Sequence, residues 1–218
     1  MTESRVIIVG GGPVGLLSAL MLGRAGIPVA LFERNTEITD DPRAATTHPA
    51  TLELLHELGL TEELEAVGLR APIFQFWDRV SGGMIAEFDH AVLADETEFP
   101  YVIQCEQAKL SRIAHAKLQN IDCVELVYGA EVVSIQQTDG DVSIDVSKDG
   151  ETWTEKGAYA LGTDGGRSFV RKALAIPFSG FTWEEKFLVL TTPFDFAAEK
   201  NYSYRSYFAG LSDWCNCF

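Results

Sequence analysis

Apolar residues recur along this chain in two rhythms, and the change between them sorts the predicted elements. Val6 to Val9 is an unbroken β-branched run, which reads as a strand buried on both faces. Gly10, Gly11 and Gly12 turn the chain, and Pro13 stands where a first helical residue belongs. Leu16, Ala19, Leu20 and Gly23 then share one helical face, with Arg24 in the last turn and Gly26 as the terminator. Val29 to Phe32 is a second buried strand ending at Glu33. Thr36 to Thr47 is polar, with Asp41-Pro42 as a turn signal. A helix from about Pro49 turns Leu52, Leu55 and Leu58 inward and closes at Gly59, and Thr61 opens a shorter one through Val67. Ile73 to Trp77 and Met84 to Phe88 read as strands joined through Ser81-Gly82-Gly83. Tyr101 to Ile103 is a short strand, and Gln107 to Leu118 an amphipathic helix with Leu110, Ile113, Ala114 and Leu118 on one side.

From Val124 onward the period becomes two. Val124 to Tyr128, Val132 to Gln136, Val142 to Val146 and Thr152 to Glu155 read as strands, with Asp139-Gly140 and Asp149-Gly150 as hairpin turns. Tyr159 to Leu161 is apolar again, Asp164-Gly165-Gly166 turns into a short helix to Ala175, and Phe181 to Leu190 reads as a strand region. The expected fold class is α/β: a Rossmann-like parallel sheet interrupted by a three- or four-strand antiparallel meander, plus the start of a second, mixed sheet. The pattern places residues 1–72 and 99–177 in a nucleotide-binding domain, and 73–98 and 178–218 in parts of the second sheet.

Composition narrows the partners. The 218 residues carry a formal net charge of −15, which argues against a nucleic-acid or anionic-membrane footprint because both need a basic face. Cys105, Cys123, Cys215 and Cys217 include no CxxC pair, so reduced thiols in a cytoplasmic protein are expected. The apolar N-terminal stretch is broken by Gly10 to Pro13 and met by Glu33 and Arg34, too soon for a span of about 20 residues. His48, His56, His90 and His115 show no metal-ligand spacing, so no metal is expected, although His48 lies in a segment of interest below.

The candidate chemistry begins at Gly10-x-Gly12-x-x-Gly15, which lies between a strand and a helix. Gly10 permits the tight turn, Gly12 lets backbone approach a pyrophosphate, and Gly15 allows helix to pack on strand. The helix N-terminus, opened by Pro13 and Val14, offers free N–H groups and a partial positive charge. Glu33, 18 residues after Gly15, ends the second strand where a carboxylate accepts hydrogen bonds from ribose hydroxyls and repels a 2′-phosphate. Arg34 either packs on the adenine or faces solvent. FAD and NAD share this fingerprint, so it does not choose between them.

A second signature does. Leu161-Gly162-Thr163-Asp164-Gly165, then Ser168 and Arg171, followed by Ile176-Pro177-Phe178-Ser179-Gly180, resembles the second fingerprint of single-component FAD-dependent aromatic hydroxylases, the family of para-hydroxybenzoate and phenol hydroxylases. The same residues also read as a strand–turn–helix with Asp164 as a capping residue. The resemblance implies that the Asp164 turn lies near the FAD pyrophosphate and the path of NAD(P)H. It extends to Pro42-RAATTHPATLELLHELG-Leu60, where Arg43 and Ala44 correspond to residues on the flavin side, and Ala50 stands where many relatives have Arg. Gln104 corresponds to a residue bonded to the ribityl or flavin region, and Val132 to one whose backbone meets the adenine.

The resemblance implies hydroxylation of a phenolic or heteroaromatic substrate by FAD, NAD(P)H and O2 through a flavin C4a-hydroperoxide, with no catalytic side chain assignable. No second Gly-x-Gly-x-x-Gly marks a separate nicotinamide domain. The family's later Gly-Asp-Ala-Ala/Ser-His string has no counterpart, since the only Gly-Asp is Gly140-Asp141 in a hairpin turn. The chain thus corresponds to the first half of such an enzyme, and its apolar end suggests a fragment or truncated product needing a C-terminal partner segment or self-association. An NAD-dependent dehydrogenase, another flavoenzyme such as an oxidase or reductase, and a non-catalytic FAD- or ADP-binding module are the alternatives.

Overall fold

The computed structural model describes residues 5–40, 45–184, 188–190, 192–210 and 214–217. Its elements begin with β1 (Val6–Val9), α1 (Pro13–Arg24), β2 (Val29–Glu33), β3 (Thr46–Thr47), α2 (Pro49–Glu57) and α3 (Thr61–Val67). They continue with β4 (Leu69–Ala71), β5 (Ile73–Asp78), β6 (Met84–Asp89), β7 (Val102–Gln104) and α4 (Gln107–Leu118). The remainder comprises β8 (Val124–Tyr128), β9 (Glu131–Gln137), β10 (Val142–Lys148), β11 (Glu151–Gly157) and β12 (Tyr159–Gly162). Last come α5 (Phe169–Ala173), α6 (Phe196–Lys200), β13 (Ser206–Ala209) and β14 (Trp214–Cys217). They fall into two compact units, residues 1–41 with 110–186, and residues 42–109 with 187–218.

The first unit is built on an all-parallel sheet in the order β12-β1-β2-β8. β1 is central and entirely buried, which explains its unbroken apolar run. Val9 pairs with Phe32 on one side and Gly162 on the other, so three strands reach the same level where the glycine turn begins. β8 reads as alternating in sequence yet belongs to this sheet, because an edge strand has fewer neighbours to bury it. The meander is therefore three strands, β9, β10 and β11. Its central strand turns Val142, Ile144 and Val146 into a core with Ile7, Val9, Ala30, Phe32 and Val170, while Ser143 and Asp145 alternate away. α1 packs beside β1 and β2 through Leu16, Ala19 and Leu20, all fully buried.

The second unit holds a mixed sheet, β14-β13-β5-β6, and a small one, β3-β7-β4. Leu52, Leu55, Leu60 and Leu64 bury the contact of α2 with α3. Tyr101 donates to Glu65 and lies under the Arg70 guanidinium, 3.6 Å from the ring centre. Burial, then the Glu65 hydrogen bond and charge, push the Tyr101 phenol up to about 12. By contacts, residues 42–72 and 99–109 group with this unit, where β7 bonds to β3 and β4.

Two expectations change. Among the described residues, 181–184 and 188–190 contain no strand, and Phe181, Trp183, Leu188 and Leu190 are exposed. An apolar stretch becomes a strand only when a neighbour completes its ladder. The two Asp-Gly turns also differ. Asp149 and Gly150 both have positive φ, 53° and 86°, as a two-residue type I′ hairpin requires. Gly140 does not; its loop is held by Thr138, whose hydroxyl donates to the Asp141 carboxylate at 2.6 Å and accepts from Gly140 N–H at 3.3 Å. Gly150→Ala should accordingly cost about 1 kcal/mol in urea unfolding, and Gly140→Ala less than about 0.5 kcal/mol.

Candidate functional site

The glycine loop leaves β1 and enters α1, and its three glycines perform different tasks. Gly10 has φ +107°, and a Cβ there would lie 2.7 Å from the Thr163 carbonyl oxygen and 2.8 Å from Asp164 Cα. At Gly15 a Cβ would collide with the Gly10 carbonyl oxygen. At Gly12 it would meet nothing within 4 Å. Gly10 and Gly15 thus let the protein touch itself, while Gly12 borders open space. Gly12 is also the N-cap of α1 and, like any glycine, brings no side chain to satisfy the first-turn N–H groups. Pro13 follows at N1, and Val14 is 64% exposed.

Thr163, which the sequence reading passed over, fastens this loop to the second signature. Its N–H donates to Val9 O at 2.8 Å, and its hydroxyl lies 2.9 Å from Gly10 O and 3.0 Å from Val9 O. A threonine before Asp-Gly carries no local signal of this role, since its acceptors lie about 150 residues away. Asp164 turns to its own helix: Oδ1 accepts from the Ser168 hydroxyl at 2.5 Å, and Oδ2 from the N–H groups of Phe169 and Val170 at 2.5 and 3.1 Å. Ser168 in turn accepts from Arg171 N–H, and the Arg171 guanidinium donates to Ile176 O at 3.0 Å. The signature's polar residues therefore bond chiefly to one another and hold α5 beside the glycine loop, although Arg171 Nε is buried with no partner among the described residues.

Glu33 ends β2 beside the loop. Its Oε2 accepts from Gly11 N–H at 2.7 Å and its Oε1 from Asn35 N–H at 2.9 Å. An ionised carboxylate has about four lone-pair sites, so hydroxyl donors can still be accepted. Arg34, next along, is exposed. Tyr128 pairs with Glu33 across the sheet; its hydroxyl is buried without a hydrogen-bond partner, and burial followed by the Glu33 charge raises its pKa. Val132 turns its side chain into the core, and Ala130 N–H donates to Glu33 O at 2.9 Å, setting the start of β9 beside the end of β2.

In the second unit Gln104 is 5% exposed. Its Oε1 accepts from the Thr46 hydroxyl at 2.7 Å, and its Nε2 is buried with no acceptor among the described residues. A buried amide donor left unpaired costs about 1–3 kcal/mol, so it is a position that a ligand acceptor would relieve. Arg43 and Ala44 lie outside the described residues. His48 is the N-cap of α2; partial burial, then the charges of Arg205 and His90, lower its pKa.

The open cradle at Gly12 and the adjacent Glu33 carboxylate fit the ADP end of a dinucleotide. The glycines can be told apart without any ligand. Gly15→Ala should destabilise the protein by about 2–3 kcal/mol in urea unfolding, whereas Gly12→Ala should cost less than about 1 kcal/mol.

The family pattern described as the FAD binding domain matches residues 3–209. The chain is 33% identical over 213 residues to para-nitrophenol 4-monooxygenase of Pseudomonas sp. strain WBC-3, covering 98% of this chain and 52% of that protein. It is 36% identical over 195 residues to 6-hydroxy-3-succinoylpyridine 3-monooxygenase of Pseudomonas putida, covering 89% and 49%. The crystal structure of p-nitrophenol 4-monooxygenase from Pseudomonas putida DLL-E4 superposes with a TM-score of 0.90 at 31% identity, over 98% of this chain and 54% of that one. The chain spans about half the length of the curated relatives it matches. With its parallel sheet, its glycine cradle and this match over nearly its whole length, the chain belongs to the FAD-binding domain family of flavin-dependent monooxygenases.

Proposed function

We propose that this chain is the FAD-binding portion of an enzyme that hydroxylates a phenolic or heteroaromatic ring using NAD(P)H and O2. The observation that carries the cofactor site is the empty volume at Gly12, bordered by a helix N-terminus without a side-chain cap and by Glu33. There the N–H groups of Val14 and Gly15 would face the pyrophosphate, and Glu33 would accept the ribose hydroxyls and repel a 2′-phosphate. Val132 backbone and Arg34 would border the adenine. The Asp164 turn, fastened by Thr163, would close the phosphate side. Gln104, with Arg43 and Ala44, would hold the flavin end, the Gln104 amide donating to the acceptor it lacks in the protein.

When bound, the flavin supplies the redox and oxygen chemistry, passing electrons from a nicotinamide nucleotide to O2 and one oxygen atom to the ring. The protein binds and orients it and excludes water. In this reading residues 1–72 and 99–177 serve the cofactor, and the sheet of β5, β6, β13 and β14 begins the substrate side. The aromatic monooxygenases among the relatives support the substrate class. No helix among the described residues is long and apolar enough to cross a membrane, in keeping with a cytoplasmic place of action.

Two measurements test this reading. Glu33→Ala should weaken ADP binding by about 1–3 kcal/mol in calorimetric titration, and Gly12→Val should lose bound FAD while keeping its circular dichroism. Normal flavin content in the valine variant would remove the cofactor from this loop. A flavin-loaded preparation of the whole enzyme to which this portion belongs should oxidise NADH or NADPH faster when a phenol or hydroxypyridine is added, with one oxygen atom from labelled O2 in the product. Oxidation that no aromatic compound accelerates would favour an oxidase or reductase.

A further inference from the structure

One peptide unit of the glycine loop is gripped at both ends by side chains far apart in sequence. The Gly10 carbonyl oxygen lies 2.9 Å from the Thr163 hydroxyl, and the N–H of the same peptide, contributed by Gly11, donates to Glu33 Oε2 at 2.7 Å. The peptide is trans, so its C=O and N–H lie in one plane and point opposite ways. Thr163 and Glu33 therefore hold it from opposite sides. The Thr163 hydroxyl has one proton and two carbonyls within reach. Val9 O, 3.0 Å away, already accepts the Thr163 N–H at 2.8 Å, whereas Gly10 O accepts no backbone N–H among the described residues. The hydroxyl proton belongs on Gly10 O.

This grip matters because the peptide has little stiffness of its own. The residues on either side of it, Gly10 and Gly11, carry no Cβ, so their backbone preferences offer small resistance to its turning. What fixes it is contact with neighbours. Thr163 Oγ1 sits so close to α1 that a Cβ at Gly15 would lie 2.8 Å from it. On the opposite side, a Cβ at Gly11 would lie 2.8 Å from Glu33 Cβ and 3.1 Å from its Cγ. Gly11 is outside the fingerprint glycines, and the stem of Glu33 lying against its backbone explains why it too lacks a side chain. Asn35 N–H, 2.9 Å from Oε1, completes the seat of the carboxylate. The direction of the Gly11 N–H thus sets where Glu33 points, and the Thr163 hydroxyl sets the direction of that N–H.

We propose that Thr163 is a positioning residue for ribose recognition: acting through the Gly10–Gly11 peptide, its hydroxyl holds the Glu33 carboxylate in the orientation that accepts the hydroxyls of the adenosine ribose. This rests on the ribose role proposed above for Glu33. Thr163 touches neither sugar nor phosphate in this arrangement. Its effect is confined to the hydroxyls that Glu33 receives, because the open volume at Gly12 and the first N–H groups of α1 lie on the far side of the loop from the Gly10 carbonyl's partner. A nucleotide without ribose hydroxyls should be indifferent to it.

The test is calorimetric titration of the flavin-free full chain with ADP and with 2′,3′-dideoxy-ADP. The wild type should bind ADP at least about 10-fold more tightly than the dideoxy compound, as hydrogen bonds to a charged acceptor allow. Thr163→Val, nearly isosteric but without the donor, should lower ADP affinity about 3- to 10-fold and leave the dideoxy compound within about twofold. Thr163→Ser should restore wild-type ADP binding, and Thr163→Cys, a weaker donor of similar size, should fall between. In a Glu33→Ala background, Thr163→Val should change ADP affinity by no more than about twofold, since the route to the ribose is already cut. Equal weakening of both nucleotides in Thr163→Val would make Thr163 a support of the loop as a whole and overturn the proposal. Unchanged ADP binding, or a full additional loss on top of Glu33→Ala, would overturn it as well. Equal affinity of the wild type for the two nucleotides would instead remove the ribose from Glu33, and binding of neither would remove the nucleotide from this loop, so each failure of the underlying reading is told apart from failure of Thr163.

Discussion

The backbone of Thr163 and Asp164 lies against Gly10 so closely that no side chain fits between them, and the rest of the first unit is arranged around that approach. β1 and β12 must end at the same level for it to occur, which their in-register parallel pairing through Val9 and Gly162 ensures. The Thr163 hydroxyl then fixes the contact with bonds to both Val9 and Gly10. α1 starts in the space that remains, its first turn passing so close to the Gly10 carbonyl that Gly15 must also lack a side chain. Two segments roughly 150 residues apart thereby define one rim, and Gly12 on it borders open space.

Two carboxylates near that rim illustrate how similar groups acquire different duties. Asp164 spends its oxygens on a hydroxyl and two N–H groups of its own helix cap, which makes it a structural post for the rim. Glu33 takes one N–H from the loop and one from Asn35, and keeps acceptor capacity toward the open side. The difference is local geometry: a turn that folds back on itself encloses its acid, while a strand end presents one.

The second unit shows the same division on the scale of a sheet. Gln75, Ser203, Ser206 and Glu87 hydrogen-bond to one another and tie β5, β6 and β13 together. With the strands locked, the alternation of a pleated sheet sends Phe74, Phe76 and Tyr207 to the opposite side, where Arg205 lies without an acidic partner among the described residues.

Local chemistry determined much of this from sequence alone. The runs Val6–Val9 and Val29–Glu33, the glycines between them and the Asp149-Gly150 hairpin each carry their conformation within a few residues, because burial on both faces, missing Cβ atoms and positive φ are local demands. The cradle and Glu33 were legible for that reason. Tertiary structure alone decided the rest. β8 joined the parallel sheet instead of the meander, β7 paired with β3 and β4, and residues 181–184 and 188–190 formed no strand, since strand identity depends on which neighbour completes the ladder. The fastening role of Thr163 and the orphaned amide of Gln104 were likewise invisible. Each is defined by what stands opposite it in space, and a one-dimensional pattern records only what stands beside it.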